Sequence, residues 1–207
     1  MASRLGHRGV DRPSVGLRLL TGAPPPLVPR WQGRSGCGTD RTAACIGGGV
    51  TGSVLTLEEA WELTGAMSSR RLVRAADIMA SGEVVNTYSK VHPIDGLVPR
   101  VPWAVYLAER GGGFRLILAD FDQKTTGSAT ADAAQFVALL DELAIAHICC
   151  ASSGSPEGGR HVWIALADSL DAARTAHLAH LLQSCWTTFD PTPLLNPATG
   201  AGRPPGA

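Results

Sequence analysis

Residues 114–122 read Phe-Arg-Leu-Ile-Leu-Ala-Asp-Phe-Asp, an apolar run that ends in two aspartates one residue apart. The run over residues 114–119 predicts a buried β-strand. Side chains alternate between the faces of a strand, so Asp120 and Asp122 are expected on the same face. Two neighbouring carboxylates repel each other unless a cation lies between them, and Mg²⁺ binds one or two carboxylates together with substrate phosphates. Taken alone, the pair is also explained as solvated turn residues at a strand end.

The elements predicted from residue 114 onwards follow the order β-α-β-β-α-β. They are a strand over 114–121, a helix over 130–143, strands over 146–151 and 161–166, a helix over 169–182 and a strand over 187–190. Asp168 or Ser169 is expected to cap the second of these helices. This order is typical of ferredoxin-like and RNA-recognition-motif-like (RRM-like) folds.

The segment before residue 114 is predicted to add helices and a hairpin. Thr56 and Glu59 have the spacing of a capping box, which predicts a helix over residues 56–66. A second helix or an extension of the first is expected over 68–79, short strands around 83–88, and a hairpin that joins 103–108 to 114–121. The fold class is therefore α+β, an RRM-like catalytic core with an N-terminal helical segment.

Charge and composition divide the chain. Residues 1–55 are rich in Gly, Pro and Arg and carry seven arginines against two aspartates, a formal charge of about +5. They show no helical or strand period, so they are expected to be disordered or to lie outside the fold. Residues 56–207 are expected to form one domain. Its part from residue 101 carries six basic against ten acidic residues, about −4, which fits a carboxylate site that a metal neutralises.

Several classes of protein are disfavoured by the sequence. No apolar stretch approaches the roughly 20 residues of a membrane span, and the arginine-rich start has no apolar segment typical of a signal peptide. The five cysteines form no C-x-x-C pair. These features predict a cytoplasmic protein with reduced thiols and no membrane partner.

Two further motifs lie at the ends of predicted strands. Residues 153–163 read Ser-Gly-Ser-Pro-Glu-Gly-Gly-Arg-His-Val-Trp. Backbone N–H groups of such a turn can bind phosphate, and Arg160 and His161 can add charge-assisted hydrogen bonds. The other motif is Phe189-Asp190, and a last strand beside the first would bring Asp190 to the aspartate pair. Taken singly, these are also explained as a hairpin loop with an exposed histidine and as an Asp-Pro turn.

Together the three motifs resemble the archaeo-eukaryotic primase superfamily. The resemblance is closer to the bifunctional DNA primase/polymerase N-terminal domain of replication proteins on actinobacterial mobile elements. It covers about residues 101–206, with D-x-D at 120–122, a small-residue turn that ends in His161, and an apolar residue before Asp190. The segment Arg-Pro-Pro-Gly at 203–206 also resembles the stretch that follows the third motif.

The resemblance implies a DNA primase/polymerase-like nucleotidyltransferase in the replication of a plasmid or an integrated mobile element. The catalytic residues would be Asp120, Asp122 and Asp190, which would hold two Mg²⁺ or Mn²⁺ ions about 4 Å apart. The implied nucleotide-binding residues are Ser153, Gly159, Arg160, His161 and Arg203. The implied partners are a single-stranded DNA template, nucleoside triphosphates, and a helicase or replication initiator.

Two departures keep other functions open. In the first departure, the loop before His161 carries Pro156 and Glu157. In the second, the family pattern continues beyond the position of Ala207, which predicts a domain shortened at its C-terminus. One alternative is a catalytically degenerate, single-stranded nucleic-acid-binding replication module. Another is a nucleotide-sugar transferase that uses D-x-D for Mn²⁺, which would need a longer α/β domain.

Overall fold

The computed structural model describes residues 55–123, 127–152 and 158–207. Apart from Leu55, the extension expected over residues 1–55 lies outside the described residues. In chain order the described elements are α1 (Leu57–Met67), β1 (Leu72–Ile78), β2 (Val84–Pro93), β3 (Trp103–Tyr106), β4 (Phe114–Phe121), α2 (Ala129–Glu142), β5 (Ile148–Ala151), β6 (Arg160–Leu170), α3 (Ala172–Cys185), β7 (Phe189–Asp190), α4 (Thr192–Leu195) and β8 (Ala201–Gly202). The protein is α+β with antiparallel sheets.

The strands form two four-stranded sheets. Sheet I has the order β2-β1-β3-β8, and sheet II has the order β5-β6-β4-β7. Every strand pair in both sheets is antiparallel. The predicted β-α-β-β-α-β series supplies all of sheet II and the two long helices α2 and α3.

Sheet II contains the main hydrophobic core. The central strand β4 is an almost continuous apolar run, as expected for a strand covered on both faces. On one face Phe121 packs against Phe136 of α2, with their ring centroids 5.8 Å apart. On the other face, Leu118 and Trp163 lie against Gly202 of β8, where a side chain would collide with them. Sheet II is thus enclosed between helices and sheet I.

Helix α1 is attached to sheet I. The predicted capping box is present, because Thr56 accepts a hydrogen bond from the Glu59 amide while the Glu59 side chain accepts one from the Thr56 amide. Deeper in the helix, the buried Thr64 hydroxyl accepts a 2.8 Å hydrogen bond from the indole of Trp103 on β3. Because both groups are buried, this bond satisfies two polar atoms that would otherwise be costly to bury.

The helix expected over residues 68–79 is wrong, because this segment forms strand β1. Val73 and Ala75 are buried on either side of the partly exposed Arg74, which is the alternation of a strand. A short run of small and apolar residues fits the helical period as well as the strand period, so its secondary structure depends on the elements with which it packs. Here pairing with β2 and β3 decides in favour of the strand.

The predicted hairpin between residues 103–108 and 114–121 is also wrong. A tight turn is present, with the Glu109 amide donating to the Gly113 carbonyl at 2.7 Å, but only the bridge between Ala108 and Phe114 follows it. Beyond that bridge β3 enters sheet I and β4 enters sheet II. The fully buried β3 finds its partners in β1 and β8, which are distant in sequence.

The cap expected at Asp168 or Ser169 is wrong as well. Strand β6 continues to Leu170, and Asp171 caps α3 by accepting a hydrogen bond from the Arg174 amide. The C-terminal segment after β7 forms the short helix α4 and the strand β8. Because β8 pairs with β3 of sheet I, residue 203 lies beside β6.

Candidate metal and nucleotide site

Three carboxylates converge at the end of the central strand of sheet II. One oxygen from each of Asp120, Asp122 and Asp190 lies within 4.8 Å of the other two. Asp120 and Asp190 are directly opposite each other across the β4–β7 pair. The expectation that the last strand lies beside the first is therefore met, and so is the expectation that the aspartates share a face.

Backbone pairing holds the third carboxylate in place. Asp122 follows the last residue of β4, and its amide donates a 2.9 Å hydrogen bond to the Thr188 carbonyl. This bond continues the β4–β7 pairing by one step beyond the strands, so the positions of Asp122 and Asp190 are coupled. Asp122 is exposed, whereas Asp120 and Asp190 are partly buried. The triad therefore opens to solvent on the Asp122 side.

His161 faces the triad from β6. It is the direct cross-strand partner of Asp120, and its Nε2 lies 3.3 Å from Asp120 Oδ1. Its Nδ1 lies 3.1 Å from the Arg203 carbonyl oxygen. A carbonyl only accepts hydrogen bonds, so Nδ1 carries a proton, and in the neutral ring Nε2 is an acceptor. In the neutral ring the lone pair of Nε2 therefore faces the space beside Asp120. In the doubly protonated ring an N–H group faces it instead.

The carboxylate of Asp120 is only partly satisfied within the described chain. Its Oδ1 is buried and accepts no hydrogen bond there, although His161 Nε2 lies 3.3 Å away. Buried carboxylate oxygens in folded proteins have hydrogen-bond or metal partners. An oxygen in this position, with two other carboxylates nearby, fits a divalent cation as its missing partner.

Asp190 has a structural role besides its place in the triad. Its Oδ1 accepts hydrogen bonds from the Thr192 amide at 3.0 Å and the Thr192 hydroxyl at 2.7 Å. This Asx-type turn starts α4 and agrees with the Asp-Pro turn that the sequence also allows. Both bonds fall on Oδ1, so the second carboxylate oxygen of Asp190 is left to coordinate a cation. The turn also fixes the rotamer that points Asp190 toward Asp120.

A cavity of about 690 Å³ lies between the two sheets beside the triad. Its size is within the range of small-molecule sites. Sheet II contributes Asp120 and His161 to the wall, and Asp122 and Ser152 complete this side. Sheet I contributes the opposite wall, with polar and charged side chains at Arg74, Asn86 and Tyr88 and a further arginine at Arg203. The cavity thus has carboxylates on one side and arginines on the other.

The two arginines differ in how they are held. Arg74 on β1 donates a 3.0 Å hydrogen bond to the Thr199 carbonyl. Arg203 follows β8, and its buried Nε has no hydrogen-bond partner among the described residues. The Arg203 carbonyl accepts from His161, so the backbone that carries this guanidinium is tied to the histidine facing the triad. Both side chains can offer N–H groups to an anion that enters the cavity.

The predicted phosphate-binding turn is only partly brought to the site. Ser153 lies outside the described residues. Gly159 and Arg160 do not line the cavity. Arg160 lies on the β6 face opposite His161, where its guanidinium donates to the carbonyls of Gly158 and Gly159. A side chain on Gly159 would collide with Ser152 and the Phe121 carbonyl, so this glycine permits a close approach of the chain to β4.

Sequence reasoning missed the wall formed by sheet I. Arg74, Asn86 and Tyr88 reach the cavity only because β1 and β2 form a ribbon opposite β4. Arg74 is expected in a helix from the sequence, and no motif marks Asn86 or Tyr88. The alternating Val73-Arg74-Ala75 pattern was the available signal, since it places a charged residue on one face of a strand.

A separate carboxylate has a perturbed pKa, away from the cavity. Hydrogen bonds from Ser89 and Thr87 of β2 lower the pKa of Asp77 below its ordinary value of 3.8. The Ser89 hydroxyl is 2.6 Å and the Thr87 hydroxyl 2.9 Å from this carboxylate. Asp77 lies where the β1–β2 register shifts. Its bonds therefore stabilise an irregular part of the ribbon.

Comparisons with known proteins gave no family for this chain: no family model and no curated protein matches it. Among the described residues, no helix combines the length and the apolar character needed to cross a bilayer.

Proposed function

We propose that this protein is a DNA primase/polymerase-like nucleotidyltransferase that acts in the replication of a plasmid or an integrated mobile element. The observation that carries the proposal is the convergence of three motifs that are far apart in sequence. Asp120, Asp122 and Asp190 approach one another within 4.8 Å, and His161 lies 3.3 Å from Asp120. The same motifs, in the same order, are the basis of the resemblance to archaeo-eukaryotic primases.

The topology of sheet II supports an RRM-like core for this enzyme. Its elements follow the order β4-α2-β5-β6-α3-β7, and the strands are arranged β5-β6-β4-β7. In this arrangement the first strand lies between the third and the last, and the third lies next to the second. A sheet of this kind brings the ends of its first, third and last strands together. The triad and His161 are carried by those three strands.

The triad fits Mg²⁺ or Mn²⁺, which prefer carboxylate oxygens and retain room for phosphate ligands. When bound, the metal would activate a 3′-hydroxyl and stabilise the leaving pyrophosphate. Asp120, Asp122 and Asp190 would hold it. Asp190 is oriented for this role by Thr192, and Asp120 has a buried oxygen that accepts no hydrogen bond from the described part of the chain.

The remaining residues of the cavity would bind the nucleotide. His161 on sheet II and Arg203, which follows β8 of sheet I, are linked by the hydrogen bond from His161 Nδ1 to the Arg203 carbonyl, so they are proposed to bind the triphosphate. Arg74 would neutralise further phosphate charge from sheet I. Ser153, Gly159 and Arg160 remain proposed supports of the phosphate turn, with Gly159 and Arg160 acting through the position of the turn.

The proposed partners follow from this chemistry. A nucleoside triphosphate would occupy the cavity and a single-stranded DNA template would lie along its exposed side. A helicase or a replication initiator would deliver the template, and the reaction would take place in the cytoplasm. Arginines that face the cavity would attract the phosphates of both the nucleotide and the template, and this attraction would weaken as the salt concentration rises.

An extension assay tests the proposal. Purified protein is incubated with Mg²⁺ or Mn²⁺, labelled nucleotides, and a primed or bare single-stranded template. We expect extension or primer products from the wild type and none from Asp120→Ala or Asp122→Ala. Asp168→Ala is the matched control, because Asp168 is an exposed aspartate toward the other end of β6 and should leave activity unchanged.

The result that overturns the proposal is equal behaviour of the wild type and the triad variants. If all of them bind single-stranded DNA without a need for metal and none incorporates nucleotides, the protein is the catalytically degenerate binding module instead. If transfer occurs from a nucleotide sugar and never from a nucleoside triphosphate to DNA, the carboxylates serve a sugar transferase.

A further inference from the structure

Asp132, in the first turn of α2, is hydrogen-bonded to the segment that leads to Asp190. Its Oδ2 accepts two hydrogen bonds from Thr188, one from the amide at 3.2 Å and one from the hydroxyl at 2.7 Å. Thr188 is completely buried and precedes Asp190 by two residues. Charge-assisted hydrogen bonds to a buried residue are stronger than ordinary ones. They fix the backbone of Thr188 relative to the helix.

Thr188 also touches the other side of the triad. Its carbonyl accepts the 2.9 Å hydrogen bond from the Asp122 amide. One residue thus joins Asp132 to Asp122 and, through the chain, to Asp190. If Thr188 moves, the distance between these two members of the triad changes.

The start of α2 holds the Asp122 segment by a second route. The Gln123 side chain accepts a 3.2 Å hydrogen bond from the Ala129 amide and donates a 3.3 Å bond to the Gly127 carbonyl. A side chain on Gly127 would crowd Thr187 and Thr188, so Gly127 packs directly against the segment before β7. The first turn of α2 therefore contacts the chain on both sides of the triad.

We propose that Asp132 is a positioning residue for the acidic triad, acting through Thr188 to set the spacing of Asp122 and Asp190. This inference rests on the proposed function, because it assumes that the triad binds a divalent metal. Asp132 is not one of the converging ligands and does not line the cavity. It acts only through the hydrogen bonds described above.

The physical reason is preorganisation. Three carboxylates without a cation repel one another and separate unless the surrounding structure holds them together. A frame that holds them before the metal arrives reduces the free energy needed to assemble the site. Groups that orient metal ligands typically change metal affinity when they are removed. Loss of the Asp132 acceptor should therefore weaken metal binding even where the protein stays folded.

Titration with Mn²⁺ alone, followed by the loss of the free-ion electron paramagnetic resonance signal, tests the inference. We expect Asp132→Ala to raise the Mn²⁺ dissociation constant about tenfold. Asp132→Asn keeps an oxygen that can accept from Thr188, so it should bind Mn²⁺ much as the wild type does. Glu142→Ala removes an exposed carboxylate from the same helix and serves as the control for charge.

A second pair of variants covers the case in which Asp132→Ala does not fold. Thr188→Val removes the buried hydroxyl but keeps the amide, and we expect a loss of about threefold in Mn²⁺ affinity. Thr188→Ser keeps both donors and should bind as the wild type does. Thermal unfolding of every variant is recorded in parallel. A purely structural role would lower the melting temperature and leave the affinity of the folded protein unchanged.

Each outcome decides the question. Weaker Mn²⁺ binding in Asp132→Ala, or in Thr188→Val where Asp132→Ala does not fold, supports the inference if Asp132→Asn and Thr188→Ser bind as the wild type does. Wild-type binding in folded Asp132→Ala overturns it, and so does wild-type binding in Thr188→Val where Asp132→Ala does not fold. Equal loss in Asp132→Asn and Asp132→Ala also overturns it, because the charge would then act directly on the ion. Absence of Mn²⁺ binding in the wild type overturns the metal site itself.

Discussion

The two sheets contribute to the cavity in different ways. The triad lies on sheet II, at the end of a central strand whose apolar side chains are buried against α2 on one face and β8 on the other. Arg74, Asn86 and Tyr88 lie on the β1–β2 ribbon of sheet I, where most of β2 is exposed. A metal site needs fixed ligand distances, whereas a wall that contacts a substrate can tolerate movement. The packing of the two sheets differs in the way that the two proposed tasks require.

The largest effect on stability is expected in the core beneath the triad. Phe121 is completely buried and its ring contacts Phe136, Trp186 and Phe189. Phe121→Ala should lower the free energy of unfolding by about 3–5 kcal/mol. Val91→Ala on the exposed face of the ribbon should change it by less than about 0.5 kcal/mol. Denaturant unfolding measures both, and equal losses would contradict the contrast between the sheets.

The contact between the sheets is tested at Gly202. A Cβ at this position would overlap Leu118 and approach Trp163 at 3.1 Å. Gly202→Ala should therefore cost about 1–3 kcal/mol of unfolding free energy through overpacking. Gly111→Ala is the control, because a Cβ there meets no atom of the described residues within 4 Å. A harmless Gly202→Ala would mean that the sheets are not tightly packed at β8.

The proposed task of the ribbon is tested at Arg74. If it contacts substrate phosphate, Arg74→Gln should weaken nucleotide binding about tenfold while Mn²⁺ binding to the triad stays unchanged. Arg71→Gln removes a mostly exposed arginine of the segment leading into β1. It should change neither the nucleotide affinity nor the Mn²⁺ affinity. Fluorescence titration with a labelled nucleoside triphosphate gives the affinity. Equal weakening by both variants would assign the effect to general charge and not to the cavity wall.

The smallest effect is expected at Asp77 on the ribbon. Its folded-state pKa is lowered by hydrogen bonds from Ser89 and Thr87. A lowered pKa stabilises the fold above the pKa of the unfolded state, and this contribution is lost as pH falls through the folded-state value. The difference in melting temperature between the wild type and Asp77→Asn should therefore shrink from about pH 6 to about pH 3. A difference that grows toward low pH would contradict this sign.

The same contrast explains what could be predicted from the sequence. Strand β4, helix α2 and the pairing of Asp120 with Asp190 followed from long apolar periods and the order of elements. Sheet I did not, because the sequence of β1 fits a helix as well as a strand, and β3, although expected as a strand, pairs with β1 and β8 and not with β4. Arg74 was consequently placed on a helix. The contact between His161 and the Arg203 carbonyl also required the return of β8, which no local pattern indicates.

The most direct test of the account is a crystal structure with Mn²⁺ and a non-hydrolysable nucleoside triphosphate. We expect anomalous scattering from Mn²⁺ between Asp120, Asp122 and Asp190, with the triphosphate directed toward His161 and Arg203. Bound nucleotide with no Mn²⁺ at the three carboxylates, or Mn²⁺ held only elsewhere, would contradict the proposal that this triad is the centre of a nucleotidyltransferase.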